Sequence, residues 1–242
     1  MASNLLETNM DDIERLKFEA GVAACDFIRD GMKLGLGTGS TVRYTVIEIG
    51  RRISEEGLNV VGVPTSESTR ELAEEVGIPL TSLAESGGLD LIIDGADEFD
   101  GEYSLIKGGG GALTREKIVA QSSKSMVVVA DDRKQVDTLG MFDLPVEILP
   151  FEWERTKDRI SSICPGEVSL RGGSETFITD NGGYILDCSF GPSITDPKSL
   201  ETNLLSIAGV VEVGLFVGIC DAVVLASNGG VLTLINQLGR LS

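Results

Sequence analysis

Three short stretches of this 242-residue chain combine glycines with hydroxyl, carboxylate or ammonium groups at spacings that could support chemistry on a small anion. They are GLGTGST (35–41), DGADEFD (94–100) and KGGGGALTREK (107–117). Glycines let backbone N–H groups approach a ligand closely, carboxylates can take up and return protons, and a lysine can stabilise negative charge. What each stretch can do depends on the strands and helices that hold it.

GLGTGST lies between a predicted strand at 32–36 and a predicted helix that begins at Val42. Backbone N–H groups and a helix N-terminus favour an anion there, and Thr38, Ser40 and Thr41 add hydroxyl donors. No Gly-Lys-Ser/Thr follows, so this is not a Walker loop, and the dinucleotide fingerprint fails because its third glycine position falls on Ser40. Alone, the stretch fits a phosphate cradle and a plain tight turn equally well.

DGADEFD follows the predicted strand LDLIID (89–94), at the carboxyl end where ligands bind in open α/β sheets. Asp94 and Asp97 are nearest the strand and are the candidates for ligand contact, whereas we expect Glu98 and Asp100 to be peripheral. A solvated acidic turn and a magnesium site are the alternatives for such a run.

Four successive glycines beside Lys107 indicate a backbone that approaches something closely or adopts special dihedral angles. A helix that begins near Ala112 places Glu116 in its first or second turn, facing the glycines and Lys107. Taken alone, Glu116 is better explained as an exposed glutamate that interacts favourably with the dipole at the helix N-terminus. Among the few lysines, Lys134, after the predicted strand MVVVA, could also attract an anion, and Lys17 could reach a phosphate near the first loop.

Composition excludes several classes of function. The chain has no histidine, which excludes Ser-His-Asp and Cys-His catalysis and histidine-ligated metals. Its net charge of −18 disfavours nucleic acid and anionic membranes as partners. The four cysteines are too far apart in sequence for a C-x-x-C site. A polar, acidic N-terminus without a signal peptide and the lack of a long apolar run predict a cytoplasmic protein.

Strands and helices alternate through the first half of the chain, which predicts an α/β fold with a mostly parallel sheet covered on both faces. The first half also includes a short strand at 78–82. After about residue 131 the pattern becomes α+β: ETFIT (175–179) and YILDCS (184–189), joined by Asp-Asn-Gly-Gly, predict a hairpin. VVEVGLFVG (210–218) and AVVLAS (222–227) then predict a return to the main sheet.

In a parallel sheet the three stretches gather along one edge, because each follows a strand or opens a helix. The edge would hold a phosphate cradle, two aspartates, a lysine and a glutamate. These groups suit proton abstraction beside the carbonyl of a small sugar phosphate. Glu116 would be the base, and Lys107 would stabilise the enediolate.

GLGTGST, DGADE and KGGGGALTREK, in this order and spacing, resemble ribose-5-phosphate isomerase type A. The resemblance continues through ADDRKQVD, LPVEILP, ITDNGGYILDCSF and GVVEVGLF, so it covers nearly the whole chain. It implies interconversion of D-ribose 5-phosphate and D-ribulose 5-phosphate, without a cofactor or metal, by a homodimer or homotetramer. It also implies a Rossmann-like catalytic domain (1–130 and 208–242) with a smaller α+β lid domain (131–207) inserted before the C-terminal strands.

Residue by residue, the resemblance makes Glu116 the base and Lys107 the lysine that handles the enediol. Asp94 and Asp97 become the acidic pair that contacts the sugar hydroxyls and assists ring opening. The residues expected to bind substrate are Thr38, Gly39, Ser40, Thr41, Gly95, Ala96, Gly108, Gly109, Gly110 and Lys134. Gly111 departs from the family pattern, in which alanine is common, so we expect a looser loop there.

Other classes of function fit less well. A non-catalytic sugar-phosphate sensing domain could share the fold, but such regulators add a DNA-binding helix-turn-helix and a basic patch. Only about ten residues precede the first predicted helix, and the net charge is −18. A nucleotide-dependent oxidoreductase is disfavoured by the failed fingerprint, and a scaffold protein would not explain four glycines beside a lysine and a carboxylate.

Overall fold

The computed structural model describes residues 11–241 and forms two compact units. The first unit contains the chain up to Gly95, Val119–Arg133 and the chain from Asp221; the second contains Ala96–Ile118 and Lys134–Cys220. Residues 96–118 and 208–220 therefore fall in the second unit. The assignment of 131–207 to a lid domain stays a prediction.

Both helix starts given in the sequence analysis are confirmed, since one helix begins at Val42 and another at Leu113, one residue after Ala112. Asp11 caps the first α-helix of the described chain, since its side chain accepts a hydrogen bond of 2.8 Å from the backbone N–H of Glu14. The bounds of the α-helices are α1 (Asp12–Ala24), α2 (Val42–Glu56), α3 (Glu67–Glu75), α4 (Leu83–Ser86), α5 (Leu113–Gln121), α6 (Trp153–Ser161) and α7 (Pro197–Leu205).

The strands are mostly short and are distributed over three sheets. Their bounds are β1 (Lys33–Leu36), β2 (Val61–Pro64), β3 (Leu91–Gly95), β4 (Glu98–Phe99), β5 (Leu105–Ile106), β6 (Met126–Asp131), β7 (Leu144–Ile148), β8 (Val168–Leu170), β9 (Tyr184–Cys188), β10 (Val210–Val213), β11 (Leu215–Phe216), β12 (Ala222–Ser227) and β13 (Gly230–Ile235).

The first unit is built on a six-stranded sheet of order β13-β12-β6-β3-β1-β2. Neighbouring strands are parallel except at β13, which pairs antiparallel with β12. Apolar residues such as Ile93, Val127 and Val224 lie in its core, together with Leu16 and Val46 of the covering helices. The parallel pairing confirms the predicted α/β fold with a mostly parallel sheet. The loops after β1 and β3 leave this sheet at its carboxyl edge.

The second unit contains two smaller sheets. The four-stranded sheet has the order β10-β7-β9-β8 with antiparallel pairing, and the three-stranded sheet has the order β11-β5-β4. Its core includes Val146, Leu186 and Leu215, and Ile160 and Leu204 of the helices pack into it. An α+β arrangement in the middle of the chain is therefore also confirmed.

Three strand predictions are wrong. The segment 78–82 makes a single bridge, from Leu80 to Gly62. The segment 175–179 is not a strand, although the turn after it closes with a hydrogen bond of 2.9 Å from Gly182 N to Thr179 O. β9 pairs with β8 on one side and β7 on the other, so neither of its edges is open to this segment.

The third wrong strand prediction is the run 210–218, which divides into two strands of different sheets. Gly214 separates them: its N–H donates to Pro145 O and its carbonyl accepts from Lys107 N, both at 2.8 Å. The chain therefore rejoins the main sheet only at β12. β13, whose residues are mostly exposed, was not expected from the sequence.

Within residues 11–241 no helix has the length and apolar character needed to cross a membrane. The N-terminal residues on which the prediction about a signal peptide rests lie outside the described part of the chain.

Candidate active site

In the first unit, Asp94 holds the loop that follows β1. Its Oδ1 accepts hydrogen bonds from the backbone N–H groups of Thr38 (3.0 Å) and Gly95 (2.8 Å). Asp94 is fully buried near the end of β3, and β1 lies beside β3 in the sheet. The strand pairing thus brings together the first two of the three stretches that the sequence singles out, and a carboxylate fixes the shape of the loop.

Gly37 allows this approach. A Cβ at this position would lie 2.2 Å from Asp94 Oδ1 and 2.5 Å from its Cα, both closer than any real contact. The backbone at 37 also donates to Ile93 O at 3.0 Å, which keeps the loop against β3. Glycine is required here by the buried aspartate rather than by an unusual φ angle.

The hydroxyl of Thr38 belongs to a cluster that the sequence did not predict. It lies 2.7 Å from Thr65 Oγ1, 2.8 Å from Ser66 Oγ and 3.1 Å from Thr69 Oγ1. Thr69 in turn donates to the carbonyl of Gly37 at 2.9 Å. The Thr38 side chain is therefore occupied within the protein, and its expected role as a hydroxyl donor to a ligand stays a prediction.

The remaining residues of the loop are open to solvent. Gly39 and Ser40 are exposed, and Thr41 is half-buried immediately before α2. An anion at this position would meet the positive end of the dipole of α2, together with the hydroxyl groups of Ser40 and Thr41. This part of the first unit has the chemistry of a phosphate cradle.

Lys17, also in the first unit, has a partner of its own. Its Nζ lies 2.6 Å from Glu14 Oε1, and Glu14 also accepts from the Tyr44 hydroxyl at 2.6 Å. The hydrogen bonds from Lys17 and Tyr44 hold the pKa of Glu14 below its usual range. Lys17 thus pairs with a carboxylate one helical turn away.

In the second unit, Asp97 holds the glycine tract as Asp94 holds the first loop. Asp97 Oδ2 accepts a hydrogen bond of 2.7 Å from the backbone N–H of Gly109. Gly108 is buried, whereas Gly109 and Gly110 are exposed. Gly95 and Ala96 are half-buried in the short link between the two aspartates.

Lys107 and Glu116 form a buried ion pair at the two ends of the glycine tract. Lys107 Nζ lies 3.3 Å from Glu116 Oε2, and the two side chains are only 2% and 5% exposed. The Lys107 ammonium also lies 5.4 Å from the centre of the Phe216 ring, a favourable contact for a desolvated cation. The alternative of an exposed helix-face glutamate is therefore wrong for Glu116.

The local backbone explains how the pair forms. The tract turns sharply, with a hydrogen bond of 2.9 Å from Gly111 N to Gly108 O, and α5 begins two residues later. Gly111 has a φ of +82°, and a Cβ there would lie 2.4 Å from the Phe177 ring. The Phe177 ring fills the space that an alanine Cβ would need at this position, and the looser loop stays a prediction.

Arg171 also supports the tract, which the sequence gave no reason to expect. Its guanidinium donates to the carbonyls of Gly108 (2.8 Å) and Gly109 (3.1 Å) and pairs with Asp187 through Nε at 2.9 Å. These hydrogen bonds fix the orientation of the peptide groups that carry the two carbonyls.

Lys117, next to Glu116, has a different set of partners. Its buried ammonium lies 2.9 Å from Glu201 and 2.7 Å from Glu212, and it donates to Val213 O at 2.8 Å. Burial raises the pKa of Glu201, but hydrogen bonds from Lys117 and Lys198 outweigh it and leave the pKa lowered. Through this network Lys117, the residue directly after the candidate base, anchors α5.

Glu98 and Asp100, expected at the periphery, bind backbone amides of the second unit. Glu98 accepts from Gly140 N at 2.7 Å and from Phe142 N, and it is buried. Asp100 accepts from Ser104 N at 2.9 Å, and burial raises its pKa. Lys134 is half-buried, with its ammonium 6.0 Å from the Phe142 ring centre.

Chemically, the second unit offers a buried carboxylate in contact with a buried ammonium, beside the exposed backbone of Gly109 and Gly110. Such a pair can move a proton and stabilise the charge that develops, as a base and an oxyanion donor do. Among residues 11–241 no group of three or more His, Cys, Asp or Glu side chains is placed to hold a metal ion.

The chain is similar over most of its length to proteins of one family. Residues 61–230 match the family model of ribose 5-phosphate isomerase A (phosphoriboisomerase A). The ribose-5-phosphate isomerase A of Cereibacter sphaeroides is 51% identical over 229 residues, which cover 92% of this chain and 91% of that protein.

Solved structures give the same result. The ribose 5-phosphate isomerase A of Methanocaldococcus jannaschii has a TM-score of 0.86 and 40% identity, covering 92% of this chain and 99% of its own. A D-ribose-5-phosphate isomerase in complex with phospho-erythronic acid has a TM-score of 0.89 and 39% identity, covering 93% of this chain and all of its own.

The contact between Gly37 and Asp94 yields a stability prediction. Gly37→Ala should lower the free energy of unfolding by about 1–3 kcal/mol, because the added Cβ overlaps a buried carboxylate and its backbone. Denaturant unfolding of both forms measures the change. Gly101→Ala is the control, since a Cβ there meets nothing within 4 Å. Equal stability of the two variants would contradict the close approach.

Proposed function

This chain belongs to the ribose 5-phosphate isomerase A family, and we propose that Glu116 and Lys107 perform the proton transfer of its reaction. The enzyme interconverts D-ribose 5-phosphate and D-ribulose 5-phosphate. The observation that supports this assignment of residues is the buried ion pair between Lys107 and Glu116, at 3.3 Å, beside the glycine tract.

The reaction moves one carbon-bound proton. In the open-chain aldose, the Glu116 carboxylate takes the proton from carbon 2, and the electron pair forms the double bond of an enediolate between carbons 1 and 2. Glu116, now protonated, returns the proton to carbon 1. The hydroxyl proton passes from the oxygen of carbon 2 to the oxygen of carbon 1, so the carbonyl is left at carbon 2. One carboxylate can serve both steps because the two carbons are adjacent.

Lys107 stabilises the intermediate. The enediolate carries negative charge on the oxygens of carbons 1 and 2, and an ammonium held in a water-poor environment interacts with that charge more strongly than it would in water. Lys107 is 2% exposed and its backbone is fixed through Gly214, so the cation is in place before the charge develops.

We assign the phosphate of the substrate to Gly39, Ser40, Thr41 and the start of α2, with Lys134 as a further cation. Thr38 supports this loop through its backbone and its hydroxyl cluster. Asp94 and Asp97, with Gly95 and Ala96 between them, are assigned to the sugar hydroxyls and to ring opening. Gly108, Gly109 and Gly110 are assigned to contact with the substrate through their backbone; the N–H of Gly109 is held by Asp97.

A relative's ligand agrees with this chemistry. The similar structure named above holds phospho-erythronic acid, a phosphorylated sugar acid. Its carboxylate is a planar anion at the end of a short polyol phosphate, as the enediolate is. We infer that this chain binds the same two charged ends of its substrate, one as a phosphate and the other as an enediolate.

The alternative function, a non-catalytic sugar-phosphate sensing domain, gains no support, since the relatives named above are isomerases. Assembly into a homodimer or homotetramer, a cytoplasmic location and catalysis without a metal or cofactor remain part of this proposal.

Removing the base should abolish most of the turnover. Glu116→Gln retains the shape of the side chain but not its basicity, so kcat should fall by roughly 10²–10⁴-fold while substrate still binds. Lys107→Ala should lower kcat by roughly 10²–10³-fold, since the enediolate loses its counter-charge. A coupled assay of ribose 5-phosphate conversion, run with and without EDTA, measures both effects, and the chelator should change nothing.

Glu98→Gln is the matched control, because Glu98 is a buried glutamate of the same unit that binds backbone amides. It should retain turnover in proportion to the folded fraction. If Glu116→Gln kept near-normal turnover while Asp94→Asn or Asp97→Asn stopped solvent-proton exchange at carbon 2, the base would have to be reassigned to the acidic loop.

Substitutions in the loop 39–41, to which we assign the phosphate, should affect substrate binding more than the chemical step. Ser40→Ala should raise KM about tenfold, as expected for a lost hydrogen bond to a charged group, with a smaller change in kcat. Steady-state kinetics measure both constants, and Ser54→Ala at the far end of α2 is the control. An equal loss of kcat/KM for ribose 5-phosphate and for unphosphorylated ribose would disagree with the assignment.

A further inference from the structure

Glu147 is a buried carboxylate that the proposed reaction does not use. It lies in β7, with 1% of its surface exposed. Its Oε1 accepts a hydrogen bond of 2.6 Å from Thr179 Oγ1 and one of 3.2 Å from Asn181 Nδ2. Its Oε2 accepts from the hydroxyl of Thr114, in the first turn of α5. Three side chains, two from one turn and one from α5, therefore meet on one carboxylate.

The turn 179–183 extends this contact to a second residue of α5. The turn is held together by Thr179 Oγ1, which accepts from Asn181 N at 3.2 Å and Gly183 N at 3.0 Å. Arg115 donates to Asn181 Oδ1 and to the carbonyl of Asp180, both at 2.9 Å. The Asp-Asn-Gly-Gly turn thus binds Arg115, the residue directly before Glu116, while Glu147 itself binds Thr114.

A buried carboxylate is an unfavourable way to obtain stability. Its desolvation is expensive, and apolar side chains of similar size often stabilise a core as well or better. A carboxylate with three fixed donors instead restricts the positions of those donors, because each hydrogen bond weakens when its donor moves or rotates. The network is therefore suited to holding the first turn of α5 in one position.

We propose that Glu147 is a positioning residue for catalysis, which acts through Thr114 to hold the Glu116 carboxylate in its catalytic place. This inference rests on the proposed role of Glu116 as the base. Thr114 and Glu116 are two residues apart, about 3 Å along the helix axis, so a shift of the first turn moves both. A misplacement of about 1 Å in a catalytic group can cost on the order of 10²-fold in rate.

The test replaces the hydroxyl on the helix and leaves Glu147 with its other donors. Thr114→Val should lower kcat by roughly 10–100-fold with a smaller change in KM, since the ground-state contacts of the substrate remain. Thr114→Ser, which keeps the hydroxyl, should recover most of the lost turnover. Steady-state kinetics and thermal unfolding are measured on each purified full-length variant.

Thr156→Val is the matched control. Like the half-buried Thr114, Thr156 is a threonine on a helix of the second unit; it is buried, and its hydroxyl donates to Ala208 O at 3.4 Å rather than to Glu147. It should unfold at a temperature similar to that of Thr114→Val but keep its kcat. If the two valine variants had the same kcat, or if Thr114→Ser were as impaired as Thr114→Val, the positioning role would be overturned.

A double variant separates this inference from the assignment of the base. If Thr114 acts through Glu116, then adding Thr114→Val to Glu116→Gln should cause little further loss of the residual proton exchange at carbon 2, measured by NMR in D2O. A full additional loss would overturn the inference while leaving Glu116 as the base. Near-normal turnover of Glu116→Gln alone would instead overturn the base assignment, and the positioning role with it.

Discussion

The structure of the site depends on the cost of burying two opposite charges in contact. Lys107 and Glu116 are both almost fully buried, and their attraction offsets the loss of hydration only if their separation is kept short. The surrounding contacts serve that requirement. The Lys107 backbone is held by Gly214, its ammonium faces Phe216, and the helix of Glu116 is anchored through Lys117 to two further glutamates.

A second principle recurs in both units: carboxylates shape glycine loops. Asp94 accepts a hydrogen bond from the N–H of Thr38 in the loop after β1, and Asp97 accepts one from the N–H of Gly109. Glycine permits the approach, as the clash of a Cβ at Gly37 with Asp94 shows, and the carboxylate then restricts the conformations that glycine would otherwise adopt. Loops that are rigid in this way can present N–H groups to a substrate without a further entropic penalty on binding.

Much of the fold could be predicted from local patterns, because β3, β6 and β12 are continuous apolar runs of the kind that parallel sheets bury. The motifs also indicated which residues would approach each other near Glu116. Contacts across long stretches of sequence could not be predicted: nothing local shows that Glu147 meets Thr114, or that Arg171 binds the carbonyl of Gly108. The strand expected at 175–179 failed for the same reason, since β8 already occupies the edge of β9.

The hydrogen bond between Lys107 and Gly214 has a consequence for biosynthesis. The ion pair is encoded within ten residues, but the backbone partner of Lys107 and the aromatic ring beside its ammonium are at 214 and 216 of a 242-residue chain. A nascent chain therefore carries Lys107 and Glu116 on the ribosome before the residues that surround them have been synthesised. Because such distant contacts form late in folding, the ion pair gains its final surroundings only after the segment that contains Gly214 and Phe216 has been synthesised.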